Sequence, residues 1–154
     1  MPFTAEIHAE STIDATPEEV WRVLADTAAY PEWNPFVVAL AGTLAEGERI
    51  SVTIRDRGGK DQRFRPRLLD VSPGERLVWL GRAGAPGIFD GEHRFELHPT
   101  EDGRTRVVHA EGFRGLLVPL LRRRLERDVA PQFAVLNEPL AARVASATAA
   151  HASA

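Results

Sequence analysis

Three polar side chains in the second half of the chain have types and spacing suited to acid–base chemistry: His93, His109 and Glu111. Alternate residues of a β-strand face the same side of a sheet. A strand that buries Phe95 therefore also turns His93 inward, and one that buries Phe113 does the same for His109 and Glu111. Because a short connection joins the two strands, we expect both imidazoles and the carboxylate to meet on one concave face.

Such a group can move protons near neutral pH, because imidazole titrates there and a buried carboxylate responds to its neighbours. On a carbonyl compound, one member would remove a proton next to the carbonyl and another would protonate an oxygen. Other interpretations stay open. The three side chains could satisfy one another structurally or orient a ligand. A bulge at Gly91 or Gly112 could turn them outward. They also have the right types for zinc or iron, although their spacing is no metal signature.

The sequence offers no competing catalytic motif. It has no glycine-rich phosphate loop, no nucleophile elbow and no HExxH pattern. It contains no cysteine, which excludes disulfides and thiolate chemistry. We therefore predict a protein that uses neither a metal nor an organic cofactor.

The first third of the chain predicts a strand followed by two short helices. Residues 3–13 alternate apolar and polar side chains, as half-buried strands do. Thr16 and Glu19 form a capping-box pattern, and Pro17 suits the first position of the helix. A second short helix is predicted to end at Tyr30, before an aromatic segment rich in proline.

Six more strands are predicted between residues 36 and 113, separated by turns rich in Gly and Pro. Pro66 lies inside the strand of Phe64 and Leu68, where its missing N–H implies an edge or a bulge. Seven consecutive antiparallel strands would twist and curl around a helix. The predicted class is thus α+β.

A long helix is predicted from Gly115 to about Thr148. Its apolar residues recur every three or four positions and form one stripe: Leu117, Leu121, Leu125, Val129, Phe133, Leu136, Leu140 and Val144. Pro131 lies inside this segment and should kink it near Arg127. We expect one domain over residues 1–148 and a frayed tail over 149–154.

Composition limits the partners of the protein. The 154 residues carry a formal net charge of −3, which favours neither nucleic acid nor an anionic membrane. No segment is apolar for long enough to span a bilayer, and the first twelve residues do not resemble a secretion signal. The sequence therefore predicts a cytoplasmic protein, a monomer or homodimer, without stable membrane association.

Several segments resemble the START-like superfamily, also called SRPBCC, and most of all its polyketide cyclase/dehydrase and lipid-transport branch. The resemblance covers residues 3–146 and is carried by Ile13–Trp21, Trp33–Phe36, Gly91–Leu97, Thr105, His109–Leu117 and Phe133–Leu140. It implies a helix-grip fold, in which a curved seven-stranded antiparallel sheet surrounds a long C-terminal helix. Pro131 departs from the uninterrupted helix of that pattern.

The combined prediction is a domain that holds a small apolar or aromatic, lipid- or polyketide-like molecule in an internal cavity. The candidate ligand-binding residues are Trp33, Phe64, Trp79, Phe89, Phe95, Phe113, Leu121, Leu125, Phe133 and Leu136. His93, His109 and Glu111 would orient its polar end. The alternative is a cofactor-independent cyclase or dehydratase in which these three residues are catalytic.

Two further interpretations concern the surface. A protein-interaction role would need a filled interior and an exposed apolar patch, and the sequence indicates no such patch. The arginine run Arg122–Arg124 and Arg127 is typical of a solvated helix face. Residues 114–119 could instead touch a membrane at the entrance for a lipid.

Overall fold

The computed structural model describes residues 2–153 and has the predicted α+β architecture. Strand β1 (Ala5–Ile13) leads into helix α1 (Pro17–Ala25), a short 3-10 turn (Thr27–Ala29) and helix α2 (Tyr30–Trp33). Seven strands follow: β2 (Val37–Ala41), β3 (Ser51–Arg55), β4 (Asp61–Phe64), β5 (Arg67–Ser72), β6 (Arg76–Arg82), β7 (Asp90–Pro99) and β8 (Thr105–Arg114). Helices α3 (Val118–Asp128) and α4 (Ala130–Ala152) close the chain.

Local hydrogen bonds fix the two short helices. The Thr16 hydroxyl accepts a hydrogen bond from the Glu19 N–H at 3.3 Å, and the Glu19 carboxylate accepts one from the Thr16 N–H at 2.7 Å. This is the predicted capping box. The buried Tyr30 hydroxyl donates to the Leu24 carbonyl at 2.7 Å, one of the carbonyls that a helix end leaves without an intrahelical partner.

The strands form two antiparallel groups that meet edge to edge. One has the order β1-β8-β7-β6-β5 and the other β2-β3-β4. The Ile50 N–H donates to the Pro66 carbonyl at 3.0 Å, and the Leu68 N–H donates to the Glu48 carbonyl at 2.8 Å, which joins the groups. The described residues form eight strands rather than the predicted seven, because Pro66 separates β4 from β5.

The single long helix of the prediction is divided in two. Helix α3 ends at Asp128, Val129 forms a turn, and α4 begins at Ala130. Pro131 therefore lies in the first turn of a new helix, where its missing N–H costs nothing, instead of kinking a continuous one.

Both ends of the predicted helical segment also differ from the prediction. Helix α3 begins at Val118 rather than at Gly115. Helix α4 continues through Ala152, so most of the segment 149–154, which we predicted to be frayed, is helical. Its last residue, Ala154, lies outside the described residues, as does Met1.

The two C-terminal helices cover the sheet differently. Helix α4 packs against β1 and α1, and it buries Phe133, Leu136, Leu140 and Val144. Helix α3 buries only Val118 and Leu125. The helical layer is consequently packed tightly along α4 and leaves space beneath α3.

Candidate functional site

A cavity of about 670 Å³ lies between α3 and the strands β3, β4, β6, β7 and β8. Its volume is within the range of roughly 300–1,000 Å³ that is usual for small-molecule sites. Of the ten predicted ligand-binding residues, those that line it are Phe64, Trp79, Phe89, Phe113, Leu121 and Leu125. The cavity wall is therefore mainly aromatic and aliphatic.

The other four predicted ligand-binding residues do not line the cavity. Phe95, Phe133 and Leu136 are buried, with exposed fractions of 0%, 0% and 1%. Trp33 packs against Tyr30, with ring centroids 5.2 Å apart. The sequence predicted all four as ligand-binding residues, because periodicity shows that a side chain faces inward but does not distinguish a cavity wall from the solid core behind it.

Charged side chains surround the opening of the cavity. Arg57, Arg82 and Arg124 line its edge and are exposed. The Arg82 guanidinium lies 3.4 Å from the Asp90 carboxylate, and Arg124 lies 3.8 Å from Asp128. Two of the three arginines at this rim thus have an acidic neighbour.

Sequence reasoning missed several lining residues, among them Phe36, Gln62, Gly91 and Gln132. Gln62 could have been found, because it is two residues from Phe64 on the same strand and so faces the same side. Phe36 precedes β2 in an irregular segment, and Gln132 adjoins the break between α3 and α4. No periodic pattern in the sequence indicates those two positions.

Strand pairing brings His93, His109 and Glu111 together. His93 on β7 is directly opposite Glu111 on β8, and Phe95 is opposite His109. The His93 Nε2 and His109 Nε2 atoms are 2.9 Å apart, and His93 Nδ1 lies 3.7 Å from Glu111 Oε2. No bulge interrupts this pairing, so neither Gly91 nor Gly112 reverses the facing of the three side chains.

The three residues differ in their access to the cavity. Glu111 lines it, and its side chain is 17% exposed. His93 stacks on Trp79 with ring centroids 4.3 Å apart, and His109 lies between Phe95 and Phe133 at 4.4 and 4.0 Å. Neither imidazole lines the cavity. We expected all three side chains to point into the cavity; only the carboxylate does, because aromatic rings enclose the imidazoles.

Burial keeps His109 neutral. Loss of hydration lowers the pKa of His109 well below its usual value, and the nearby His93 ring lowers it further. The Phe133 backbone carbonyl opposes this shift more weakly, and His109 Nδ1 has no hydrogen-bond partner among the described residues. An uncharged His109 can still donate or accept one hydrogen bond through Nε2.

Charge favours one arrangement of the protons. If His93 carries its proton on Nδ1, that proton faces the Glu111 carboxylate. In a neutral His93 the other nitrogen, Nε2, is then a hydrogen-bond acceptor for the His109 Nε2–H. The row of three side chains, His109, His93 and Glu111, then ends with a hydrogen-bond acceptor at the cavity wall. The same geometry opposes a shared metal ion, because the two Nε2 atoms are directed at each other.

Three leucines near the opening are exposed to solvent, which the sequence did not lead us to expect. Leu116, Leu117 and Leu120 are 79%, 43% and 81% exposed, and Leu117 also lines the cavity. They lie where β8 passes into α3, within or next to the segment for which we considered contact with a membrane. No helix within residues 2–153 has both the length and the apolar character that spanning a bilayer requires.

An antiparallel sheet closed by a C-terminal helical layer around a cavity is the helix-grip architecture of START-like proteins. Residues 4–144 match the family described as polyketide cyclase / dehydrase and lipid transport. The chain therefore belongs to this family, as its sequence motifs implied.

Solved structures of similar fold cover nearly the whole chain. The protein TTHA0849 from Thermus thermophilus is 23% identical, with a TM-score of 0.72 over 93% of this chain and 99% of that one. A START superfamily protein from Mycobacterium smegmatis is 18% identical, with a TM-score of 0.67 over 92% and 97%. At these identities the likeness shows the fold alone.

A third similar structure is the di-domain ARO/CYC BexL from the BE-7585A biosynthetic pathway. It is 17% identical, with a TM-score of 0.69, and the alignment covers 89% of this chain but 46% of that one. This chain therefore spans about half of the di-domain protein. No curated protein sequence matches.

Proposed function

We propose that this protein binds a small apolar or aromatic molecule in the cavity beneath α3. The observation that carries the proposal is the cavity itself, about 670 Å³ in volume and lined mainly by aromatic and aliphatic side chains. Packed interiors contain few gaps larger than a water molecule, so a cavity of this size is a feature that a ligand-binding role would explain. Membership of a family described as polyketide cyclase / dehydrase and lipid transport supports an apolar or aromatic ligand.

Two neighbouring leucines on α3 allow a matched test of the cavity. Leu121 lines it, whereas Leu120 does not and is 81% exposed. Leu121→Trp should weaken binding of the neutral fluorescent probe N-phenyl-1-naphthylamine about tenfold, because the larger ring occupies the binding volume, an effect of about 1.4 kcal/mol. Leu120→Trp should leave the affinity within about twofold of the original.

Fluorescence titration of the two variants and the original protein measures these affinities. Failure of the folded original protein to bind the probe would argue against the proposal. Equal effects of Leu120→Trp and Leu121→Trp would mean that the probe binds elsewhere, for example at the exposed leucines.

A second candidate function is a cofactor-independent cyclase or dehydratase. It is favoured by one observation, a carboxylate in the wall of an apolar cavity with an imidazole 3.7 Å behind it. Glu111 would remove a proton next to a ligand carbonyl and form an enolate, whose carbon attacks a second carbonyl of the same molecule. Glu111 would then return the proton to the new alkoxide, and a later loss of water would complete a dehydration.

Proton exchange tests this chemistry without knowledge of the natural substrate. In D₂O, the protein should accelerate deuterium exchange at the methyl group of 2-acetonaphthone, and Glu111→Gln should lose at least about 100-fold of that acceleration, within the usual range for removing a general base. NMR spectroscopy follows the exchange. Acceleration that survives in Glu111→Gln would exclude Glu111 as the base, and no acceleration in a protein that binds the ketone would favour binding alone.

A further inference from the structure

The Glu111 carboxylate has no hydrogen-bond donor from the protein among the described residues. Within residues 2–153 its one potential ion-pair partner is His93, whose Nδ1 lies 3.7 Å from Oε2 and is therefore beyond hydrogen-bond distance. The side chain is only 17% exposed and borders an apolar cavity. A carboxylate in such a position loses much of its hydration and gains little in return, unless something in the cavity donates to it.

Gly91 makes room at the cavity wall for the second carboxylate oxygen. A Cβ atom at this position would lie 2.6 Å from Glu111 Oε1 and 3.5 Å from the Phe113 ring. Gly91 is not among the glycines with positive φ, so its backbone does not require glycine. The missing side chain instead makes room for Oε1 to lie against Gly91, and both Gly91 and Glu111 line the cavity.

The buried histidines hold the other side of the carboxylate. His93 is fixed by stacking on Trp79 and by its contact with His109, whose ring lies between two phenylalanines. His93 therefore faces Oε2 from a rigid position, while Oε1 lies against Gly91 at the cavity wall. In this arrangement His93 and His109 are positioning residues, and Glu111 is the one member of the three that can touch a ligand.

We propose that Glu111 Oε1 accepts a hydrogen bond from the ligand, so that the cavity selects apolar ring systems bearing a neutral hydroxyl or enol. This inference rests on the binding function proposed above. A hydroxyl donor would form a charge-assisted hydrogen bond with the carboxylate. A ligand carboxylate would be repelled, and an ether of the same shape would leave Oε1 without a partner.

A ligand ammonium group fits this site less well than a neutral hydroxyl. It would have to leave water for a mainly apolar cavity, where one carboxylate compensates poorly for lost hydration. The proposal therefore commits to a neutral donor.

Four naphthalenes of nearly equal size test the proposal: 2-naphthol, 2-methoxynaphthalene, 2-naphthoate and 2-naphthylmethylamine. At pH 7, calorimetric titration should show 2-naphthol binding about tenfold more tightly than 2-methoxynaphthalene, the usual effect of a hydrogen bond to a charged group. 2-Naphthoate should bind most weakly. In Glu111→Gln, the preference for 2-naphthol should fall at least about threefold, while affinity for the ether stays within about twofold.

Two further variants control for structural effects. Glu92→Gln makes the same chemical change on the opposite face of the neighbouring strand, where Glu92 pairs with Arg114 at 3.7 Å, and it should retain the preference. Gly91→Ala should reduce the preference, because its Cβ displaces Oε1.

The possible outcomes separate this proposal from the one on which it rests. Equal binding of 2-naphthol and 2-methoxynaphthalene would overturn the proposed donor preference and leave cavity binding intact. Tightest binding of the amine would overturn the choice of a neutral donor. If no naphthalene binds to the folded protein, both proposals fail.

Discussion

Replacement of Gly115 by alanine is expected to lower the free energy of unfolding by about 3 kcal/mol, combining backbone strain with overpacking. Gly115 has φ +132°, a conformation that residues with a Cβ rarely adopt. A Cβ at this position would overlap the carbonyl oxygen of Ile88 and lie 2.7 Å from its carbonyl carbon. Because these are backbone atoms, no side-chain rotation can relieve the overlap.

The same substitution should disturb the cavity opening. The N–H groups of Leu116 and Leu117 donate to the carbonyls of Gly87 and Ile88, each at 3.0 Å. These bonds fasten the β6–β7 loop to the start of α3, where Leu117 lines the cavity. Gly115→Ala should therefore also weaken binding of the neutral fluorescent probe.

Urea unfolding monitored by tryptophan fluorescence measures the loss of stability, and Gly103→Ala is the matched control. Gly103 has φ +81°, but a Cβ added to its backbone would meet no other atom within 4 Å. Gly103→Ala should lower the free energy of unfolding only by the cost of backbone strain, about 1 kcal/mol. If the two variants lost equal stability, the close contact with Ile88 would not be the cause.

Stability should fall with acidification below about pH 6.5, and His109 should account for a large part of the decline. In the unfolded chain His109 titrates near the usual histidine value, whereas burial lowers its pKa in the folded protein. Between these two pKa values the unfolded state binds a proton that the folded state does not. The free energy of unfolding should then decrease by up to about 1.4 kcal/mol per pH unit.

Above the unfolded pKa both states leave His109 neutral, so this contribution disappears at higher pH. Below the pKa that His109 has in the folded protein, His109 is protonated in both states, and its contribution to the loss of stability stops increasing. His109→Leu and His109→Gln should remove this part of the pH dependence, whatever their effect on stability at neutral pH. Urea unfolding between pH 7 and pH 5 measures the difference in slope.

A surface histidine provides the control for this experiment. His8 has a side chain 48% exposed, next to Glu10, and His8→Gln should keep most of the slope. His93 and Glu111, the titratable groups nearest His109, are present in every variant. Unchanged slopes in both His109 variants would show that another group is responsible for the acid sensitivity.

The local elements of this protein could be predicted from its sequence. The alternation in residues 3–13 and the capping box at Thr16 are short-range patterns whose physical causes lie within a few residues. Strand alternation also brings His93, His109 and Glu111 to the inner face of neighbouring strands. The resemblance to the family motifs also predicted the helix-grip fold, which the family match and the similar solved structures support.

Other features depended on contacts between distant segments. Pro131 allows either a kink or a new helix, and the folded chain forms a new helix after Val129. Periodicity indicates that His109 faces inward, but Phe133, from a helix distant in sequence, covers its ring and separates it from the cavity. Alternation therefore determines the side of the sheet to which a residue points, while packing between layers decides whether that residue meets a cavity or another side chain.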